Sequence, residues 1–186
     1  MAKPTAQRSD VIERLANVFR IHGYEGASLA HICAGTQLGK GSIYHFFPGG
    51  KEEMAQAVLA DIDDWFRDHI VSPLEHDADP LHGINRMFDE VSRYFLSGRK
   101  VCLMAVFALG AERDRFHTEL SHYFQAWETA LRGALMRAGH HEQHARDYAE
   151  DTLIVIQGGL VLARAWKQPD AFVRAVHRMK NTLLAA

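Results

Sequence analysis

Apolar residues recur along most of this chain at every third or fourth position, the period of an α-helix with one buried face. Over residues 10–22, Ile12, Leu15, Ala16 and Phe19 share a face, with Val11 and Val18 beside it, and Gly23 supplies the stop. Ser28 is a good N-cap for a short helix from Leu29 to Ala34. Gly35-Thr36-Gln37-Leu38-Gly39 separates it from a third short helix over 40–47, which carries Ile43, Tyr44 and Phe47. Pro48-Gly49-Gly50 then breaks the pattern. Beyond the break the helices lengthen. Met54, Val58, Ile62, Trp65, Phe66 and His69 predict a helix over 51–70 ended by Pro73. Asp79-Pro80 reads as N-cap and first turn of the next, with Leu81, Ile84, Phe88, Val91 and Phe95 before Gly98. Residues 101–111 are almost wholly apolar and predict a central, buried helix. Phe116, Leu120, Phe124, Trp127, Leu131 and Leu135 mark a helix over 114–138, stopped by Gly139. Two last helices, 143–166 and 170–184, flank Lys167-Gln168-Pro169. No alternating strand pattern, internal repeat or low-complexity tract interrupts this. The expectation is an all-α fold of about nine helices, three short ones followed by a C-terminal helical bundle.

Composition narrows the class. The 186 residues are 47% hydrophobic and 24% charged, ordinary for a globular chain. The formal charge is −2, so a protein that coats nucleic acid nonspecifically is excluded. Residues 1–55 hold six Lys/Arg and five Asp/Glu, net +1, which leaves −3 for the rest. The sign suits an anion-facing N-terminal part. Cys33 and Cys102 are too few for a disulfide framework and lack zinc-ligand spacing. No apolar run reaches about 18 residues, and residues 1–10 are polar without a secretory core. The expectation is a cytoplasmic protein with no membrane partner.

Ser28 to Phe47 places helix, tight turn and helix within twenty residues, the layout of a helix-turn-helix. In that motif the first helix crosses the DNA backbone and the second offers its first turn to base edges in the major groove. Gly39, Gly41 and Ser42 are small enough for close approach, and Lys40 with the free amides favours phosphate. Ile32, Leu38, Ile43 and Phe47 would hold both helices against the first.

These residues carry a resemblance. Phe19, Gly23-Tyr24, Ser28, Ile32, Leu38, the run Lys40-Gly41-Ser42-Ile43-Tyr44-His45-Phe46 and Lys51-Glu52 resemble the TetR family of bacterial transcriptional regulators. Phe-Pro-Gly-Gly-Lys-Glu looks most like its LmrA/YxaF-like branch. The strong similarity covers residues 8–60; beyond it only the helix count, Val101-Cys102-Leu103, Gln157-Gly158-Gly159 and Ala163-Arg164 match. Two positions depart from the family pattern: Gln37 stands where the turn usually has Gly, and Gly39 where the recognition helix usually has a Ser cap.

The resemblance implies a helix-turn-helix DNA-binding domain over 1–50 and a ligand-binding and dimerisation domain over 51–186. It implies a homodimeric regulator released from double-stranded operator DNA by a small organic effector. Lys40, Tyr44 and Lys51 would bind phosphates, with Ser28 near one; Gly41, Ser42 and His45 would face base edges. Trp65, Phe66, Phe88, Phe95, Cys102, Phe107, Phe124 and Trp127 are candidates for an effector pocket, although aromatic stripes at this spacing are core by default. Gly158, Gly159, Ala163, Val173 and Val176 are candidates for the dimer interface.

Other chemistry finds little support. Ala34 and Gly41 stand where a nucleotide-binding phosphate loop needs Gly and Ser/Thr, and no strand precedes. His140, His141 and His144, with His117 and His122 upstream, read as solvated positions rather than metal ligands. Cys102 reads as a buried thiol. Neither catalytic residues nor cofactor or metal is expected. An all-helical enzyme or metal-binding bundle is the rival reading, and it would need ionisable groups converging from facing helices.

Overall fold

The computed structural model describes residues 7–185; the polar start of the chain, residues 1–6, lies outside them. The order is α1 (Arg8–Gly26), α2 (Leu29–Thr36), α3 (Lys40–Phe46) and α4 (Gly50–Phe66). α4 continues through a π-helical turn (Arg67–Val71) into α5 (Ser72–His76). Then come α6 (Pro80–Tyr94), a 3₁₀ turn (Leu96–Gly98), α7 (Leu103–Leu109), α8 (His117–Arg137), α9 (Glu142–Ala165) and α10 (Asp170–Leu184). With α4 and α5 counted as one, the described residues form nine α-helices and no strand, the all-α fold expected.

The helix expected to stop at Pro73 runs on to His76. Proline has no N–H for the carbonyl four residues back, and its ring crowds that carbonyl. The chain widens the preceding turn instead of breaking. Ser72 N–H bonds the Arg67 carbonyl, and His69 Nδ1 donates to the Trp65 carbonyl at 2.8 Å.

The chain divides into two compact units. The first joins residues 7–63 with 103–120, and the second joins 64–102 with 121–185. In the first, α1 buries Val11, Ile12, Leu15, Ala16, Val18 and Phe19, the face expected of it. Gly23, at φ 66°, ends the regular helix as expected. α7 corrects in part the reading of 101–111 as a central, buried helix. Only two turns long, it buries Leu103, Met104 and Phe107 while Leu109 is 84% exposed. Its Phe107 stands edge-on to Phe19 (5.8 Å) and packs on Phe116 (5.3 Å) in the first unit.

In the second unit, Phe66 meets Tyr123 and Trp127 at 4.4 and 4.7 Å, and Trp127 Nε1 donates to Met87 Sδ at 3.3 Å. α9 closes with Lys167 in the left-handed region (φ 55°), and Gln168 N–H returns to the Ala163 carbonyl at 2.9 Å. This reversal sends α10 back along α9. Ile156, Gly159, Leu160 and Ala163 of α9 are buried on this side, as are Phe172, Val176 and Leu183 of α10.

Candidate nucleic-acid interface

α1 is the platform for the motif. Gly35 of α2 sits so close to it that a Cβ would lie 2.3 Å from Val18 Cγ2, so only glycine permits this approach. Ser28 Oγ accepts from His31 N–H at 3.2 Å, the expected N-cap. At the other end of α2, Arg14 of α1 donates to the Thr36 carbonyl at 2.8 Å, and Thr36 Oγ1 donates to the Ile32 carbonyl at 2.7 Å. The helix is thus fixed at both ends.

The turn adopts the backbone that the glycine of the family pattern would favour. Gln37 lies at φ 60°, ψ 28°. A side chain there costs about 1–2 kcal/mol, against about 0.5–1 kcal/mol of chain entropy that glycine would add. Gln37→Gly is therefore expected to stabilise the chain by up to about 1 kcal/mol, read as a raised urea midpoint, while Gln37→Val lowers it.

Gly39 starts α3 in extended conformation and gives no side-chain cap. Ile43 and Phe47 are fully buried, which fixes how α3 turns about its axis. Ile32 is buried too, and Leu38 half-buried. With Ile43 inward, Lys40, Gly41, Ser42, Tyr44 and His45 are left exposed along one short helix. The first-turn N–H groups of such a helix have no partner within it.

Lys51 stands differently. Its Nζ donates to the Tyr24 carbonyl at 2.9 Å and lies 4.4 Å from the Tyr24 ring centre, half-buried. It braces the end of α1 against the start of α4. Four further features escaped the sequence reading. The Arg8 guanidinium lies over Phe47 at 4.9 Å, and the His22 and His31 rings stack at 4.0 Å. Tyr24 N–H donates to Glu112 Oε1 at 3.2 Å, and Arg115 pairs with Glu52 at 2.7 Å. The last two join residues 88 and 63 positions apart, a separation at which local pattern carries no signal.

The family model for bacterial regulatory proteins of the tetR family matches residues 11–58, and that for the C-terminal domain of LmrA/YxaF-like transcriptional regulators matches residues 80–178. The chain belongs to the TetR family. It is a DNA-binding transcriptional regulator of the LmrA/YxaF-like branch. The HTH-type transcriptional regulator LmrA of Bacillus subtilis is 26% identical over 160 residues, 84% of this chain and 85% of LmrA. YxaF of the same organism is 25% identical, with 84% of each chain covered. Among solved structures, a TetR transcriptional regulator from Legionella pneumophila superposes with a TM-score of 0.78 at 20% identity, covering 97% of this chain and 99% of that one. A cysteine mutant of the TetR-family regulator CifR, complexed with 26-bp operator DNA, gives 0.74 at 22% identity, covering 97% and 98%.

The remaining site residues of this TetR-family chain separate into groups. Phe66, Phe88, Phe95, Cys102 and Trp127 are buried in the second unit, and Trp65 and Phe124 are half-buried there. Trp65 stacks on His69 and Tyr94, both at 4.5 Å, and Phe95 meets Phe172 edge-on at 6.2 Å. Phe107 does not join them, because α7 packs it into the first unit.

The dimer candidates divide as well. Gly159, Ala163 and Val176 are buried within the chain, Gly159 beneath Phe172. They lie in the seam between α9 and α10, where Ala163 and Val176 keep almost no exposed surface while Gly159 also lines the open groove between the two helices. Gly158 and Val173 are exposed. Around them lie Ile154 (66% exposed), Val161 (58%) and Trp166 (56%), which the sequence reading left out. Among the described residues no group of three or more His, Cys, Asp and Glu side chains is placed to hold a metal ion, and no helix is long and apolar enough to cross a membrane.

Proposed function

We propose that this chain is a cytoplasmic, homodimeric repressor that leaves its operator when a small organic effector binds. The observation that carries the reading is the exposed row Lys40, Gly41, Ser42, Tyr44 and His45 on a helix held from behind by Ile43 and Phe47. Residues 1–50 serve as the DNA-binding domain and 51–186 as the effector and dimerisation domain. Lys40 and Tyr44 bind phosphates, with Ser28 beside one. Gly41, Ser42 and His45 read base edges. Lys51 acts through its brace on Tyr24 and reaches phosphate with its remaining donors. In a dimer, two such helices bind half-sites about 34–36 Å apart.

The effector site is placed among Trp65, Phe66, Phe88, Phe95, Phe124 and Trp127, with Cys102 nearby. Few basic side chains stand there, Lys100 over the Tyr94 ring at 3.7 Å being one, so the ligand is a neutral or weakly charged organic molecule. It must bind the DNA-incompetent state more tightly, or nothing shifts. α4 carries both Lys51 and Trp65, so a ligand that displaces its last turns bears on its first. A thermal-shift panel of apolar compounds checks this: a binder should also weaken the gel shift, and a binder without effect on DNA counts against the coupling.

The test of the DNA contacts is a gel shift on upstream intergenic DNA. Lys40→Ala is expected to weaken all sequences alike and to reduce the salt slope by about 1 per protomer. Tyr44→Phe should likewise weaken without changing preference. His45→Ala should instead flatten preference at one base position per half-site. An unchanged profile on a randomised-operator library would remove His45 from the reading surface.

A further inference from the structure

α9 and α10 leave an open groove of about 560 Å³ whose lining includes Val155, Gly158, Leu162, Trp166, Arg174 and Arg178. Beside it an unbroken helical stripe of α9, Asp147, Asp151, Ile154, Gly158, Val161 and Ala165, is exposed at every position. This stripe lies opposite the face that α9 buries against its own chain. Such an apolar surface, rimmed by charge, is a protein-contact surface.

The charges on it are unequal in placement. Asp147, Glu150 and Asp151 occupy the first half of α9, while Arg174 and Arg178 stand on α10 beside the second half. Among the described residues, Glu150, Asp151, Arg174 and Arg178 have no ion-pair partner, and Asp147 only accepts from Gln143 at 2.8 Å. Anything that fills the groove buries the two guanidinium groups, and a buried charge needs an opposite one. A second copy of the chain carries unpaired carboxylates on the same outward surface. In a two-fold interface each contact occurs twice, i with j and j with i.

We infer that the homodimer selects itself by these charges: Arg174 and Arg178 of one protomer pair with Asp147, Glu150 and Asp151 of its partner. The inference rests on the dimer reading above and adds the recognition code. It makes the chain reject other bundles whose outward charges do not match, because like charges facing one another oppose association.

Charge reversal tests it in the full-length chain. Arg174→Glu with Arg178→Glu makes one all-acidic variant; Asp147→Lys, Glu150→Lys and Asp151→Lys make an all-basic one. Each alone should dimerise at least about 100-fold more weakly in sedimentation equilibrium. Mixed in equal amounts, the two should form a heterodimer near wild-type strength, because opposite charges face each other again in both sets of pairs, one with its original sign and the other reversed. The altered residues are exposed, and recovery on mixing also shows that both variants fold. Variants that self-associate like the wild type, or a mixture with no preference for the heterodimer, would overturn the charge code while leaving the dimer standing. A wild-type chain that is monomeric at every concentration would overturn both.

Discussion

Trp127→Ala is expected to destabilise the chain by about 3–5 kcal/mol, the range for deleting a fully buried large aromatic side chain. Trp127 has no exposed surface; its ring packs on Phe66 and Tyr123, and its Nε1 donates to Met87 Sδ. Alanine removes those contacts and leaves a void between helices that are fixed elsewhere. Urea denaturation should show a lowered midpoint with nearly the same slope. Trp127→Phe should recover most of the loss, since it keeps an aromatic ring against Phe66. The pair also separates two roles. If Trp127 is chiefly core, Trp127→Phe leaves the effector response intact. If it walls the ligand site, that mild variant changes the effector concentration needed to release DNA while stability hardly moves. Trp127→Ala with a wild-type midpoint would show that the ring supports no core at all.

What the sequence made legible follows from how local each feature is. The α1 face, the Ser28 cap, the Gly23 stop and the Gly139 stop depend on residues within a turn of one another, and the structure bears them out. Gln37 was readable as a strained turn residue because the motif demands that backbone whatever the side chain. The end of α4 was not readable. Proline is a stop only if the preceding turn stays α-helical, and here the turn widens. The placement of α7 was beyond reach for another reason. An apolar run says that burial occurs and not against what, and Phe107 found Phe19 and Phe116. Small residues on α9 were ambiguous in the same way. Gly158 and Gly159 are adjacent, yet one faces out and the other lies beneath Phe172. Only the seam with α10 decides which glycine is free for a partner.

Tyr24→Ala is expected to cost about 3–5 kcal/mol and to abolish operator binding with every residue of α3 unchanged. Tyr24 follows the Gly23 break and is buried beside Phe19, Phe107 and Phe116. Lys51 and Arg115 approach its ring at 4.4 and 5.7 Å. Its backbone is held too, the carbonyl by Lys51 and the N–H by Glu112. One residue therefore ties the end of α1 to the start of α4 and to the segment after α7. Without the ring, the aromatic cluster loses its centre, and the charged groups lose contacts worth about 0.5–1 kcal/mol each at exposed sites. Tyr24→Phe keeps the packing and isolates the hydroxyl. Burial pushes the Tyr24 phenol above its usual value; Arg115 opposes this, and the carboxylates of Glu52, Glu25 and Glu112 add to it. A raised folded-state pKa means that the folded chain holds the phenol neutral where the unfolded chain ionises it. That contribution is complete below about pH 10 and is lost as pH rises through the folded value. Wild type should accordingly lose stability more steeply than Tyr24→Phe above pH 10, measured by urea midpoints along a pH series. Coincident alkaline limbs would mean that the hydroxyl is solvated in the folded state. An unchanged midpoint and intact operator binding for Tyr24→Ala would mean that the first unit holds its helix-turn-helix without this residue.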